Sequence, residues 1–140
     1  MKNWIVYSFI SMFFAGLTSV IAKMGLRNVS SDTGLAVRTI IVFIIVWLNV
    51  FIFQSVKDFR NLTKMDIVFL AISGVTTSLS WIFYYKAIKI GNVSQVALID
   101  KGSILITLLL SFIVLNEQFS WKTAIGGSFI VAGLLILTLK

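Results

Sequence analysis

The sequence predicts an all-α integral membrane protein, a bundle of five transmembrane helices. Of its 140 residues, 59% are hydrophobic and only 12% are charged, and the mean hydropathy is +1.02. A soluble domain is roughly half apolar and about a quarter charged, so this chain has too few charged residues to cover a water-facing surface. Five segments hold the roughly 20 apolar residues that a membrane-crossing helix requires. Short polar connections leave no room for a soluble domain, so residues 1–140 are interpreted as one transmembrane domain.

The five apolar runs are predicted to be helical, because backbone groups in lipid must find their partners within their own segment. Ser31 or Asp32 is suited to cap the start of the second helix, since a short polar side chain can accept a hydrogen bond from the first turn. Gly91 and Asn92 form a tight break, so the third and fourth helices are expected to be antiparallel neighbours. The predicted helices are residues 3–26, 35–54, 66–88, 93–115 and 121–139.

The fifth predicted helix is rich in small residues. Gly126 and Gly133 fall near one face at helical spacing, and small residues let helix backbones approach closely in lipid. This face is interpreted either as a packing surface within one chain or as the contact of a homodimer. The spacing leaves both interpretations open.

The composition also restricts the chemistry. The chain contains no Cys and no His, so disulfides, thiolate ligands and the usual proton shuttle are missing. It shows neither paired carboxylates nor a phosphate-binding loop. We therefore expect no enzymatic activity, no catalytic residue, no metal and no cofactor. The formal net charge of +7 is attributed to loop lysines and a basic site within the membrane, and not to a nucleic-acid partner.

The loop charges do not settle the orientation in the membrane. With alternating helices, five cationic residues fall on the side of the N-terminus and seven on the other side. If Lys23, Arg38, Lys86 and Lys101 belong to a site within the membrane, the second number falls to three. By the positive-inside rule this weakly favours a cytoplasmic N-terminus, and insertion in both orientations stays open.

Charged side chains cluster at one end of the predicted bundle. Lys23 lies near the end of the first helix and Arg38 near the start of the second, while Asp100 and Lys101 lie in the first turns of the fourth. Ionisable groups within a span usually face a cavity or a partner. Snorkelling to the interface is the alternative for Lys23, but a short carboxylate cannot reach that far. The sequence therefore predicts a buried ion pair of Asp100 with Lys101, Lys23 or Arg38, in a basic cavity suited to an anionic or zwitterionic solute.

Aromatic and hydroxyl side chains recur at helical spacing in two helices. Ser78, Trp81 and Tyr85 share one face of the third helix, and Phe14 and Thr18 share a face of the first. Such faces either pack against a neighbouring helix or line a pocket. We treat all five residues as candidates for a pocket near the membrane midplane.

Three stretches of the chain, in this order, resemble a known family. The first is AGLTSVIAKMGL, the second is SWIFYYKAIKIGNVSQVALI, and the third is LNEQFSWKTAIGGSFIVAGLLIL. Together they resemble the EamA domain of the drug/metabolite transporter superfamily, whose C-terminal part opens with an L-G-E-x-x-S pattern. The resemblance covers nearly the whole chain. It implies helices packed around a central substrate path and transport of small metabolites by alternating access.

The chain departs from the larger members of that superfamily. Those carry two EamA domains in inverted repeat and ten helices, whereas this chain has one domain and five. The run IDKGS, which ends at Ser103, resembles the I-D-K-x-S signature of small single-domain bacterial members, so a bacterial inner membrane is expected. Transporters often build their path between inverted repeats, so we expect an antiparallel homodimer. A parallel dimer or a monomer with a five-helix path is the alternative.

The leading functional hypothesis is a secondary transporter whose partners are a small-molecule substrate, the lipid bilayer and a second copy of the chain. Five helices are few for a complete transport path. This small number also fits a non-transporting membrane subunit or interaction protein. Smaller relatives of the superfamily resemble lipid-linked-sugar flippases, a third possibility. The candidate residues of the substrate path are Lys23, Arg38, Asp100, Lys101, Trp81, Tyr85, Phe14, Thr18, Ser78 and Ser103, and those of helix packing or dimerisation are Gly126 and Gly133.

Overall fold

The computed structural model describes residues 3–53, 55–118 and 120–138, and the regular secondary structure of these residues is helical. The six α-helices and one 3₁₀ helix of this described part are α1 (Asn3–Gly25), α2 (Ser31–Ile52), the 3₁₀ helix (Ser55–Asn61), α3 (Lys64–Ile90), α4 (Val93–Asp100), α5 (Ser103–Val114) and α6 (Trp121–Thr138).

Four stretches of the described chain are long and apolar enough to cross a membrane. They are α1, α2, α3 and the combined stretch Val93–Val114, and a shorter apolar helix covers Trp121–Leu137. The predicted all-α membrane fold is confirmed, but the number of five spans is not. At 1.5 Å per residue the last apolar helix is about 26 Å long, slightly shorter than a hydrocarbon core of about 30 Å. The predicted ends at positions 54 and 139 lie outside the described residues.

Two helices begin with side-chain caps. Ser30 caps α2, because its Oγ accepts a hydrogen bond from the Thr33 N–H at 3.1 Å; the expected caps, Ser31 and Asp32, lie inside the helix. At the start of α3 the Thr63 Oγ1 accepts from the Asp66 N–H at 3.2 Å, and the Asp66 carboxylate accepts from the Thr63 N–H at 3.0 Å. This reciprocal pair satisfies two donors that the first turn of a helix otherwise leaves unpaired.

The chain divides into two compact units, Met1–Ile90 and Gly91–Lys140, here called the N-terminal and C-terminal units. In the N-terminal unit α2 packs along α3, and α1 meets α3. The buried side chains of its described residues are Leu26, Tyr85 and Ile88. They lie at or just beyond the C-terminal ends of α1 and α3. Most other apolar side chains of this unit are exposed, as expected for helices whose surroundings are lipid.

The predicted continuous helix 93–115 is interrupted in the C-terminal unit, between α4 and α5. The Gly102 N–H donates to the Ile99 carbonyl at 2.9 Å, one residue nearer than in an α-helix, and the Ile104 N–H likewise donates to the Lys101 carbonyl at 3.1 Å. A Cβ at Gly102 would lie 2.9 Å from the Ile99 oxygen and 3.1 Å from Leu134 Cδ1 of α6. The turn tightens here because glycine alone lets the backbone and α6 approach so closely.

Gly127 is the glycine through which α6 packs within this unit. It is buried, and a Cβ added there would lie 3.1 Å from Leu108 Cδ1 of α5. A Cβ at Gly126 or Gly133 would have no atom of the described part of this unit within 4 Å. Those two glycines therefore do not serve the contact of α6 with α5, although the sequence left packing within the chain open for both.

The turn after α5 contains a residue in the left-handed region, Asn116, with φ of 51°. This position corresponds to the Gly of the L-G-E pattern that the sequence resembles. Asn tolerates positive φ better than most residues, because its short side chain can hydrogen-bond locally. After glycine, asparagine is therefore among the residues best suited to the positive φ of this turn.

Substitutions at this turn should separate backbone strain from other effects. Asn116→Gly should leave the free energy of unfolding within about 1 kcal/mol of the starting protein, since glycine adopts positive φ freely. Asn116→Val should lower it by roughly 1–2 kcal/mol, the steric cost of a left-handed conformation. The measurement is an SDS titration in mixed micelles, followed by circular dichroism.

The matched control for that experiment is Asn92→Val. Asn92 precedes α4 with φ of −74°, and its side chain makes no capping hydrogen bond with the described residues. The free energy of unfolding of this control should be close to that of the starting protein. Equal losses at positions 92 and 116 would contradict the role assigned to the left-handed turn.

Candidate functional site

The centre of the candidate site is Arg38, which the second turn of α2 places opposite α3. Its guanidinium carbon lies 3.0 Å from the centroid of the Trp81 ring and 5.9 Å from that of Tyr85. The two residues are neighbours one turn apart on α3, and their rings are nearly parallel, with an interplanar angle of 14°. An arginine cation over an aromatic face is attracted by the negative charge density of the ring. The shared face predicted for Trp81 and Tyr85 therefore provides the aromatic surface that the guanidinium contacts.

The larger of two cavities beside Arg38 has a volume of about 480 Å³. Residues of α1, α2 and the loop between them line it, together with Tyr85 of α3. Most of the lining is apolar. Its polar members are Thr18, Thr33, Arg38 and Tyr85, so a single cation and three hydroxyl groups border an otherwise apolar space.

A smaller cavity of about 220 Å³ lies on the other side of Arg38, between α2 and α3. Ser78 and Trp81 border it with two threonines, Thr39 and Thr77. The Ser78 hydroxyl donates to the Gly74 carbonyl of its own helix at 2.8 Å, so its donor is already used. Arg38 lines both cavities.

Arg38 has no carboxylate partner in the described part of the N-terminal unit. Its guanidinium uses one flat face on Trp81, and the N–H donors of an arginine point outward in the plane of the group. Such a fork matches the two oxygens of a carboxylate or a phosphate. The electrostatics of the site therefore favour an anion.

Two lysines occupy the helix ends near the larger cavity. Lys23 Nζ donates to the carbonyls of Ile88 at 2.6 Å and Lys89 at 3.1 Å, at the end of α3. Lys89 Nζ donates in return to the carbonyls of Leu26 and Arg27, just past the end of α1. We call these reciprocal contacts the crossed lysine caps. Lys23, a predicted substrate-path residue, is thus bound to backbone carbonyls of α3.

The remaining charged candidates belong to the C-terminal unit. Lys101 Nζ lies 3.9 Å from Asp100 Oδ2 at the break between α4 and α5, and the Asp100 side chain is 38% exposed. Among the three predicted partners of Asp100, Lys101 is placed beside it. The pair is partly exposed, whereas the sequence predicts a buried one. Ser103 follows as the first residue of α5, and a role for these three residues in substrate binding stays a prediction.

Phe14 does not join the group around Arg38. Its side chain is 61% exposed, and its ring meets that of Phe13 edge to face, with centroids 5.6 Å apart. Thr18, one turn later, does border the larger cavity. The two residues share a helix face, but α1 approaches its neighbours in its C-terminal half, where side chains such as Ala22 and Lys23 become partly buried.

Sequence reasoning missed several residues that the structure brings to this site. Thr33 and Gly34, in the first turn of α2, border the larger cavity. The sequence did contain a signal for them. Both residues directly follow the expected cap, Ser31 or Asp32, at a helix start close to the predicted charge cluster. A further cavity of about 550 Å³ between α5 and α6 was also not predicted; its lining is mainly apolar, and Glu117 is its charged member.

The fold and the site together define a multi-pass helical membrane protein with a cation-bearing cavity within its spans, which is the general design of a membrane transporter. A family model described as the EamA-like transporter family matches residues 2–139. The chain belongs to this family. It is also 31% identical over 136 residues, 97% of this chain and 96% of the relative, to a Sinorhizobium sp. protein described as an uncharacterized transporter in the cobO 3' region. No solved structure matches the chain.

The stacking of Arg38 on Trp81 can be measured as an interaction energy. In a double-mutant cycle of Arg38→Met and Trp81→Leu, we expect a coupling energy of about 1–2 kcal/mol, the range for a partly desolvated cation–π contact. The free energies of unfolding come from SDS titration. The control cycle replaces Trp81→Leu by Phe83→Leu, whose ring lies two residues along α3 and is exposed. A coupling above about 0.5 kcal/mol in the control cycle, or below it in the test cycle, would contradict the assignment.

Proposed function

We propose that the protein is a secondary transporter that carries a small organic anion, or a zwitterion bound through its carboxylate, across the bacterial inner membrane by alternating access. The observation that carries this proposal is Arg38, a membrane-embedded cation between two cavities that has no carboxylate partner in the described N-terminal unit. A charged group inside a span costs free energy and usually serves a transported ion or solute. Membership of the EamA-like transporter family supports the same function.

The shape of the site supports the proposed class of solute. The guanidinium face rests on Trp81, so the N–H edge is the part available to bind a carboxylate. The larger cavity has about 480 Å³, within the range of roughly 300–1,000 Å³ for small-molecule sites. Its lining is mainly apolar, with hydroxyls of Thr18, Thr33 and Tyr85. An anionic head and a compact apolar body complement this arrangement.

The transport path is proposed to be completed by a second, inverted copy of the chain. One EamA domain supplies one repeat, and transporters of this design bind their solute between two. The near balance of loop charges is compatible with insertion in both orientations. Gly126 and Gly133 are the proposed contact, because a Cβ at either position meets no atom of the described C-terminal unit within 4 Å.

The anion site can be tested with three probes of matched size. A protein with Trp4, Trp47 and Trp121 replaced by Phe keeps Trp81 as its single tryptophan. Benzoate should quench its fluorescence, while benzyl alcohol and benzylamine should have little effect. Arg38→Gln should weaken benzoate binding by about tenfold or more, because a hydrogen bond to a charged group contributes roughly 1.5–3 kcal/mol. Arg38→Lys should bind with intermediate affinity, since it keeps the charge but loses the fork.

The control for this experiment is Arg60→Gln, which removes an exposed arginine from the 3₁₀ helix. Its benzoate affinity should equal that of the single-tryptophan protein. The proposed site is wrong if the three probes quench alike, or if Arg38→Gln and Arg60→Gln give the same affinity.

The proposed antiparallel arrangement predicts two orientations in one membrane. A C-terminal reporter should give a signal on both sides, and Gly126→Leu with Gly133→Leu should lower energy transfer between labelled copies. Gly16→Leu is the matched control, because a Cβ at Gly16 of α1 also has no described atom of the N-terminal unit within 4 Å. A signal confined to one side in fully active cells would rule out the antiparallel dimer.

A further inference from the structure

The crossed lysine caps satisfy carbonyl groups that a helix cannot satisfy by itself. The last four carbonyls of an α-helix have no donor within the helix, and in lipid each unpaired group costs several kcal/mol. Lys23 supplies its ammonium to two such carbonyls at the end of α3. Lys89 donates in return to the carbonyls of Leu26 and Arg27, which lie just past the end of α1. The negative end of each helix dipole adds a favourable interaction with the cation.

The two caps connect helix ends that are distant in the sequence. The Lys23 ammonium and the Ile88 carbonyl belong to residues 65 positions apart. Ile88 and Leu26, whose carbonyls accept these hydrogen bonds, are also buried side chains of the unit. One helical turn earlier on both helices, the Tyr84 hydroxyl donates to the Ser19 Oγ at 2.6 Å. Polar and apolar contacts thus join α1 and α3 at the same end.

Leu26 connects these caps to the cavity beside Arg38. Its carbonyl accepts from Lys89, and its side chain borders the larger cavity. A Cβ added at Gly34 would overlap Leu26 Cδ2 and lie 3.5 Å from Cγ. Leu26 therefore fills the space above Gly34, in the first turn of the helix that carries Arg38.

We propose that Lys23 and Lys89 are positioning residues, which hold Leu26 over Gly34 and thereby set the shape of the Arg38 cavity, and that neither lysine binds the transported solute. This assigns Lys23 a different role from the one predicted from the sequence. The ammonium of a lysine offers three donors, and two carbonyls of α3 already accept from Lys23. The assignment does not depend on which solute is carried.

The first experiment needs no substitution. The protein in detergent is treated with a water-soluble acetylating reagent, and the modification rate of each lysine is read by mass spectrometry. Lys86 is the matched control, because it is exposed and lies one turn before Lys89 on α3. Lys23 and Lys89 should react at least roughly tenfold more slowly than Lys86, since their hydrogen bonds to carbonyls must open first. Rates similar to that of Lys86 would overturn the proposal.

The second experiment reads the cavity directly. The chain has no cysteine, so Thr33→Cys places a single thiol at the border of the larger cavity and Thr39→Cys places one at the border of the smaller. Adding Lys89→Met should raise the maleimide reaction rate of the thiol at position 33 severalfold, because Leu26 is released. The rate at position 39 should stay unchanged, and Lys89→Arg, which keeps a cationic donor, should restore a slow rate at position 33.

The outcomes of the second experiment are decisive for positioning. An unchanged rate at position 33 in the Lys89→Met protein would overturn the proposal, as would an equal rise at positions 33 and 39, which indicates general loosening. Neither readout involves benzoate. Failure of the anion site would therefore be distinguishable from failure of the crossed lysine caps.

Discussion

The ends of α1 and α3 present the main physical constraint on the N-terminal unit. Carbonyl groups at a helix end have no donor of their own, and lipid offers none. Lys23 donates to two of them at the end of α3, and Lys89 donates in return to the carbonyls of Leu26 and Arg27, just past the end of α1. The buried side chains of the described unit, Leu26, Tyr85 and Ile88, lie at the same end. The position of α1, and with it the side of the larger cavity that α1 contributes, depends on this junction.

Arg38 illustrates how a cation is accommodated within a span. Removing a guanidinium from water costs free energy, and the structure offsets part of this cost with the Trp81 face and the nearby Tyr85 ring. This contact occupies the face of the group and not its hydrogen-bonding edge. The same arrangement that stabilises the arginine therefore leaves its hydrogen-bonding edge available for the proposed anion. The stabilising contact and the proposed binding contact thus use different parts of one side chain.

In the C-terminal unit, glycines allow helices and turns to pack closely. Gly102 permits a tight turn against Leu134, and Gly127 lets α6 approach Leu108 of α5. Interrupted helices recur in transporters, where the break places charged groups and backbone dipoles at membrane depth. Here the break carries the Asp100 and Lys101 pair. The positions of these glycines are explained by packing within the unit, and those of Gly126 and Gly133 are not.

The sequence by itself determined the class of protein, the family and the approximate helix bounds. These depend on local properties, namely the length of apolar runs and short motifs, because lipid requires each segment to satisfy its own backbone. It also identified Arg38 as a candidate, because a charge within an apolar span is costly, and Trp81 and Tyr85, because one-face spacing is visible in a single helix. The tertiary structure decided the partners. Lys23 and the Ile88 carbonyl are 65 positions apart, and no periodicity within one helix reveals which distant group a long side chain will reach. The break at Gly102 likewise depends on the closeness of Leu134 on another helix, a distance that only the folded chain defines.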